Sequence, residues 1–258
     1  SEDFVRYFSV AEYGTDLWYI GQSLNNADKL YKVNASGKQQ LVWDFSKERL
    51  QDVRFTPGKD FVYTTPDGTK IDCWYYLPPN FDPNKKYPTL LYCQGGPQSI
   101  VSQFYSFRWN FQLMASQGYI VIAPNGRGLP GFGVEWNAQI SGDWGGQPMR
   151  DYLSAIDDIA KEPYVDKDRL GAVGASYGGY SIYYLAGIHQ KRFKSFIAHC
   201  GVFNLQSMYG TTEELWFANW DMGGSPWDNP SSKSYTKFNP SSYVNNWNTP
   251  IMIIQGRS

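Results

Sequence analysis

The stretch "GASYGGY", residues 174–180, sets one hydroxyl, Ser176, among Gly174, Ala175, Gly178 and Gly179. A serine is a weak nucleophile unless a base takes its proton and amide donors receive the charge that develops on its target. "DRLGAVGAS" reads as a strand and "YGGYSIYYLAGIHQ" as a helix, which puts Ser176 at a strand-to-helix turn. That is the setting of a G-x-S-x-G nucleophile elbow. Such a turn strains the serine backbone, and a Cβ at Gly174 or Gly178 would clash with the adjoining strand and helix. The hydroxyl is lifted to the C-terminal edge of the sheet, with the N–H of Tyr177 facing a developing oxyanion. The pattern also arises by chance, and the alternative is a glycine-rich helix start with an idle serine.

A second stretch supports the first. "LLYCQGGPQS" ends a long apolar strand at Gln94-Gly95-Gly96-Pro97. A glycine pair there can bring backbone N–H groups beside the serine, and Gly96 is the expected second oxyanion donor. The alternative is an ordinary tight turn.

The base is harder to find. In this kind of fold the chain order is Ser, then Asp or Glu, then His. Only two histidines exist, His189 and His199. His189 lies 13 residues along the helix that starts at the serine, which places it about 20 Å away. It is expected to serve the helix C-terminus together with Lys191 and Arg192. His199 ends the next strand, but no acid precedes it in the required order, so a structural hydrogen bond is expected of it instead. Asp221 and Asp228 fall in a loop-rich region and read as structural or pocket residues. The triad acid is expected after the strand "TPIMIIQG", just past Ser258, and the histidine further on. The 258 residues would then be an inactive part of an enzyme, or alternatively a non-catalytic binding module on a hydrolase-like fold.

These residues need a scaffold. From about residue 60, apolar runs ("PTLLYCQGG", "GYIVIAPNGRG", "FKSFIAHCGV", "TPIMIIQG") alternate with helical patterns, among them "FRWNFQLMASQ" and "MRDYLSAIDDIAKEP". Unalternated runs of this kind suit strands buried on both faces of a mostly parallel sheet, and the alternation predicts a doubly wound α/β fold. "DFVYTTPDGTKIDCWYYLPP" predicts a hairpin turned at Pro66-Asp67-Gly68. Residues 1–56 read as short strands, "DLWYIGQS", "KLYKVNASGKQQLVWDF" and "LQDVRFTP", with a hairpin signal at "NASG". They look like the last blade of a β-propeller or linker strands, and residues 57–258 like the catalytic domain.

Composition narrows the function. Lys and Arg total 23 and Asp and Glu 24, a net charge of −1, which gives no electrostatic reason to expect nucleic acid. No run is long and apolar enough to span a membrane, and the N-terminus does not read as a signal peptide. The 20 Tyr, 10 Trp and 15 Phe point to large cores before aromatic-lined pockets. Cys73, Cys93 and Cys200 are too few for a disulfide framework and read as buried free thiols. No metal-ligating cluster stands out, and the chemistry needs no cofactor.

Together, "YCQGGPQS", "APNGRGLPGFG", "SGDWGGQPMRDYLSAID", "VDKDRLGAVGASYGGY" and "TPIMIIQG" resemble the prolyl oligopeptidase family of serine peptidases over roughly residues 60–258. With "KRFKSFIAHCGVFN" and "ELWFANWDMGG" they are most similar to its bacterial dipeptidyl-peptidase members. The resemblance implies an α/β-hydrolase fold, truncated at its C-terminus and preceded by the end of a propeller. It implies Ser176 as nucleophile, Tyr177 and Gly96 as oxyanion donors, and an acid in a G-x-x-D pattern of which Gly256-Arg257-Ser258 is the beginning. It further implies release of dipeptides from free peptide N-termini in the periplasm or outside the cell, with acylaminoacyl-peptidase-like or endo-acting cleavage as alternatives. Gln94, Val202, Phe203, Met208 and Trp216 are the expected pocket residues, although any of the last four can equally be core. Arg127 is expected in a loop ion pair. The oligomeric state is open, a homodimer among the options.

Overall fold

The computed structural model describes residues 4–103 and 105–256. Arg257 and Ser258, which carry most of the expected G-x-x pattern, lie outside the described residues.

The first sheet is an antiparallel meander of β1 (Phe4–Val10), β2 (Leu17–Ser23), β3 (Asn26–Val33) and β4 (Gln39–Asp44). The β3–β4 hairpin turns where "NASG" predicts it. The Asn34 carboxamide oxygen accepts from the N–H of Ser36 at 3.1 Å and of Lys38 at 2.9 Å, the self-bonding that makes asparagine a turn former. "LQDVRFTP" does not form the expected strand: a one-turn helix α1 (Lys47–Leu50) is followed by irregular chain up to Lys59. Among the described residues no strand pairs with it, and a strand needs a ladder to satisfy its amides.

The second sheet has seven strands: β5 (Lys59–Thr64), β6 (Lys70–Tyr76), β7 (Tyr87–Cys93), β8 (Ile120–Pro124), β9 (Val165–Ala175), β10 (Ser195–His199) and β11 (Ile251–Ile254). Their spatial order is β11-β10-β9-β7-β8-β6-β5. β8, β7, β9, β10 and β11 run parallel, while β5 and β6 form the predicted antiparallel hairpin at the far edge. Helices α2 (Phe111–Ser116), α3 (Val134–Ala138), α4 (Gln147–Ile159) and α5 (Tyr177–Ile188) fill the crossovers. After β10 come α6 (Leu205–Thr211), α7 (Leu215–Met222), α8 (Lys233–Thr236) and a 3-10 turn over Pro240–Asn246.

Why these runs are apolar throughout is visible in the two cores. Successive residues of a strand face opposite sides. On one side Leu91, Cys93, Ile120, Ile122 and Ala172 pack with Tyr152 and Ile156 of α4 and Tyr180 and Leu185 of α5. On the other, Tyr92, Val121, Ala123 and Val173 pack with Phe111 and Ala115 of α2. Both faces are covered, so polar alternation has no place in the central strands. Much of the aromatic content is core, as expected, with Tyr63, Tyr76, Tyr180, Phe193 and Phe196 fully buried.

Two expectations need correction here. The helix of "FRWNFQLMASQ" starts only at Phe111, where the Asn110 side chain accepts from Leu113 N–H as an N-cap; asparagine at that position outcompetes continuation of the helix backward. All three cysteines are free, but only Cys73 and Cys93 are buried; Cys200 is exposed because it follows the end of β10, in a positive-φ conformation (φ 45°). Among the described residues, no helix is long and apolar enough to cross a membrane.

Candidate active site

Strand β9 ends at Ala175 and α5 begins at Tyr177, so Ser176 alone makes the turn. Its backbone sits at φ 58°, ψ −120°, a region that non-glycine residues occupy only when the surroundings hold them there. Three backbone bonds and contacts hold it. Ser176 N–H donates to the His199 carbonyl (3.0 Å), Ser176 carbonyl accepts from Tyr180 N–H (2.9 Å), and the helix start is pressed against its neighbours. A Cβ on Gly174 would lie 2.5 Å from the Gly178 carbonyl oxygen, one on Gly178 would overlap the Cys93 carbonyl, and one on Gly179 would lie 2.6 Å from Gly201 Cα. Those three glycines are therefore required by contact. The serine itself is exposed, as an attacking hydroxyl must be.

The ends of β7 and β9 are adjacent, with Cys93 opposite Gly174. Continuing each strand by one or two residues brings Gln94-Gly95-Gly96 alongside Ala175-Ser176-Tyr177. A Cβ on Gly95 would lie 3.6 Å from Ser176 Cβ and 3.0 Å from the Ala175 carbonyl oxygen. Gly96 has φ 132°, and a Cβ there would press on the N–H groups of Gln98 (2.7 Å) and Ser99 (3.0 Å), because the loop folds straight back. Tyr177 is the first residue of α5, and the N–H of a first helical residue has no acceptor within its helix. Its phenol is buried, donates to the Trp144 carbonyl at 2.9 Å and stacks edge-on against the Trp144 ring. Burial pushes that phenol well above its ordinary pKa, so it stays a neutral donor. The structure thus brings Ser176, Tyr177, Gly95 and Gly96 to one rim of the sheet.

Neither histidine completes a triad. His189 is buried at the far end of α5, where its Nδ1 accepts from Phe193 N–H (3.1 Å) and its Nε2 faces the Thr249 hydroxyl (3.2 Å). Burial, with Arg192 nearby, lowers its pKa. Because its Nδ1 accepts a hydrogen bond, the ring is a neutral imidazole that closes the helix end. Arg192 is the cation there, donating to the His189 carbonyl while paired with Asp157. The His199 backbone carbonyl supports Ser176, but the expected hydrogen bond from its ring is not found: Nδ1 is buried without a partner and the ring packs edge-on against Trp109, 6.0 Å between centroids. Among the described residues, Ser176 Oγ has no hydrogen-bonded base.

The model of the prolyl oligopeptidase family matches residues 105–258. Dipeptidyl-peptidase 5 of Porphyromonas gingivalis is 60% identical over 89% of this chain, and that of Porphyromonas endodontalis 52% identical over 94%. The chain belongs to the prolyl oligopeptidase family. It spans 34% of the length of each of those two relatives. In fold it is similar to the acylaminoacyl peptidase of Pyrococcus horikoshii, with a TM-score of 0.89 at 24% identity, covering 99% of this chain and 40% of that one. The sheet is that of an α/β-hydrolase.

For a member of this family, the remaining candidates separate by contact. Gln94 is buried, and its Nε2 donates to Ser99 Oγ at 3.0 Å, so it braces the glycine loop. It also lines a cavity of about 20 Å³ with Tyr92, Val101 and Trp109. Val202, Phe203, Met208 and Trp216 do not join it there. Val202 and Met208 pack on the main core, Phe203 rests edge-on against Tyr183 and Trp247, and Trp216 is 75% exposed. These four residues follow β10 and lie outside the small cavity that Gln94 lines.

Arg127 forms the expected ion pair, and more. It is buried; its backbone N–H and guanidinium bind Asp151 of α4, and Nη1 reaches Asp67 (2.6 Å) and Gln147 (3.0 Å). Hydrogen bonds from Thr65 and Arg127 hold the Asp67 carboxyl well below the usual range. The pair ties the β5–β6 turn and α4 to the chain after β8. Asp228 is held by Ser225. Asp221, on α7, is buried and accepts from three side chains: Trp144 Nε1 at 2.9 Å, Ser141 Oγ at 3.0 Å and Gln98 Nε2 at 3.2 Å. Sequence reading missed these partners, which lie 77, 80 and 123 positions away; no local spacing signals them.

Proposed function

We propose that these residues carry the nucleophile and oxyanion site of a serine exopeptidase that releases dipeptides from free peptide N-termini. The observation that carries it is the exposed Ser176, held at positive φ between the glycine loop and the start of α5. The similarity to two dipeptidyl-peptidase 5 proteins supports the substrate class.

In this reading Ser176 Oγ attacks the carbonyl carbon of the second residue while a histidine takes its proton. Negative charge builds on the carbonyl oxygen and meets the N–H groups of Tyr177 and Gly96. The amine leaves with the proton, and water then hydrolyses the dipeptidyl ester by the reverse path. Each oxyanion donor contributes about 3–4 kcal/mol in the transition state. The histidine and its acid are proposed to lie outside these 258 residues: His189 is engaged with Phe193 at the far end of α5, and, among the described residues, the buried His199 Nδ1 bonds to nothing, Ser176 included.

The test is a panel of matched peptides, free or acetylated at the N-terminus, given to the complete protein. Dipeptide release from the free peptides alone is expected. Cleavage of the acetylated peptides at similar rates would overturn the exopeptidase reading in favour of an acylaminoacyl- or endo-type activity.

A further inference from the structure

We propose that Asp221 is a positioning residue for the oxyanion site, acting through Gln98 and Trp144. This rests on the reading of Ser176 as the nucleophile. The two expected oxyanion donors come from separate parts of the chain, the loop after β7 and the start of α5. Each is tied to the same carboxylate. Gln98 stands two residues beyond Gly96, in the loop whose backbone doubles back at that glycine, and its Nε2 donates to both Asp221 oxygens at 3.2 and 3.4 Å. Trp144 donates its indole N–H to Asp221 at 2.9 Å, and its own carbonyl accepts the Tyr177 phenol at 2.9 Å. Ser141 Oγ and, through the backbone carbonyl of Asp221, Gly142 N–H fix the acid from the same segment.

The setting is unusual for a carboxylate. Asp221 is 1% exposed, and among the described residues its partners are neutral donors with no Lys or Arg. A buried acid kept without a counter-ion carries a desolvation cost that an apolar residue would avoid. The same low-dielectric surroundings make its hydrogen bonds shorter-ranged in tolerance and stronger than neutral ones. A loop that must hold one N–H in register with another, across a glycine pair with little stiffness of its own, gains from such an anchor.

The experiment uses the complete protein and a charge swap. Gln98→Glu sets a carboxylate against Asp221 and is expected to lower kcat about tenfold or more, with KM for a dipeptidyl arylamide within about twofold. Affinity for a dipeptidyl boronic acid, whose tetrahedral anionic adduct occupies the oxyanion site, falls in parallel. Adding Asp221→Asn restores an amide–carboxylate pair and is expected to recover most of the kcat and boronate affinity, counted per site titrated. Wild-type kcat and boronate affinity in Gln98→Glu would overturn the proposal. So would a double variant no better than the single. If Asp221→Asn does not fold, the milder Gln98→Leu decides: an unchanged kcat overturns the role and a reduced kcat with unchanged KM supports it. Failure of the underlying reading is distinguished by Ser176→Ala, which would then retain turnover.

Discussion

At residue scale the site depends on atoms that are missing. Gly178 has no room for a methyl group, because a Cβ would overlap the Cys93 carbonyl of the neighbouring strand. Neither backbone can yield without breaking the β7–β9 pairing that places the glycine loop. Gly178→Ala is therefore expected to cost about 3 kcal/mol or more, read as a lower urea midpoint, and to diminish labelling of Ser176 in the molecules that remain folded. A variant as stable and as reactive as wild type would show that the helix start can shift and that close packing is not what fixes the serine. The close packing is legible in the sequence, because a strand-to-helix turn at G-x-S-x-G leaves no room for a Cβ at Gly174 or Gly178. The hydrogen-bonding of Asp221, Gln98 and Trp144 is not legible, because it is made by residues that meet only after the sheet has formed.

At the scale of elements, helix α5 is anchored differently at its two ends. Its start carries the strained Ser176 backbone. Its far end is closed by His189, whose Nδ1 accepts Phe193 N–H and whose Nε2 faces Thr249, which also donates to the Phe193 carbonyl. Because burial lowers the pKa of His189, the folded protein resists its protonation more than the unfolded chain does. The contribution of His189 to stability is thus fully present above its ordinary pKa, about 6.5, and is lost as pH falls through the lowered folded value. A melting temperature that declines between pH 7 and pH 5 is expected, with a shallower decline in His189→Gln. Equal slopes for the two proteins would contradict a neutral, buried imidazole. The sequence places this histidine at the helix end, where it is found. Its desolvation is not legible there, because Phe193 and Phe196 pack around the ring only in the folded chain. The strand pattern was easier, since runs such as "YIVIAP" have no polar face to present to water and so must be covered on both sides.

At the scale of the whole molecule, side chains of α2 and of the chain before it reach the β2–β3 turn of the first sheet. Gln112 of α2 donates to Asn25 and to the Thr56 carbonyl, both at 2.6 Å, and Gln103 accepts from Leu24 N–H at 3.3 Å. Alternation and turn residues predict strands in the first sheet, yet they give no sign of β1 and predict a strand in "LQDVRFTP" that does not form. Both errors concern edges, where pairing partners and not local sequence decide. The second sheet, by contrast, has its central strands fixed by two cores and its rim fixed by Arg127, Asp151 and Asp67. That rigid frame is what allows one residue, Ser176, to sit in a conformation it would not choose. The account as a whole is tested most directly by treating the complete protein with a fluorophosphonate probe and mapping the modified residue by mass spectrometry. A single phosphonylated peptide containing Ser176, lost on Ser176→Ala, is the predicted result. A probe that leaves Ser176 unmodified while the enzyme is inactivated at another residue would contradict it.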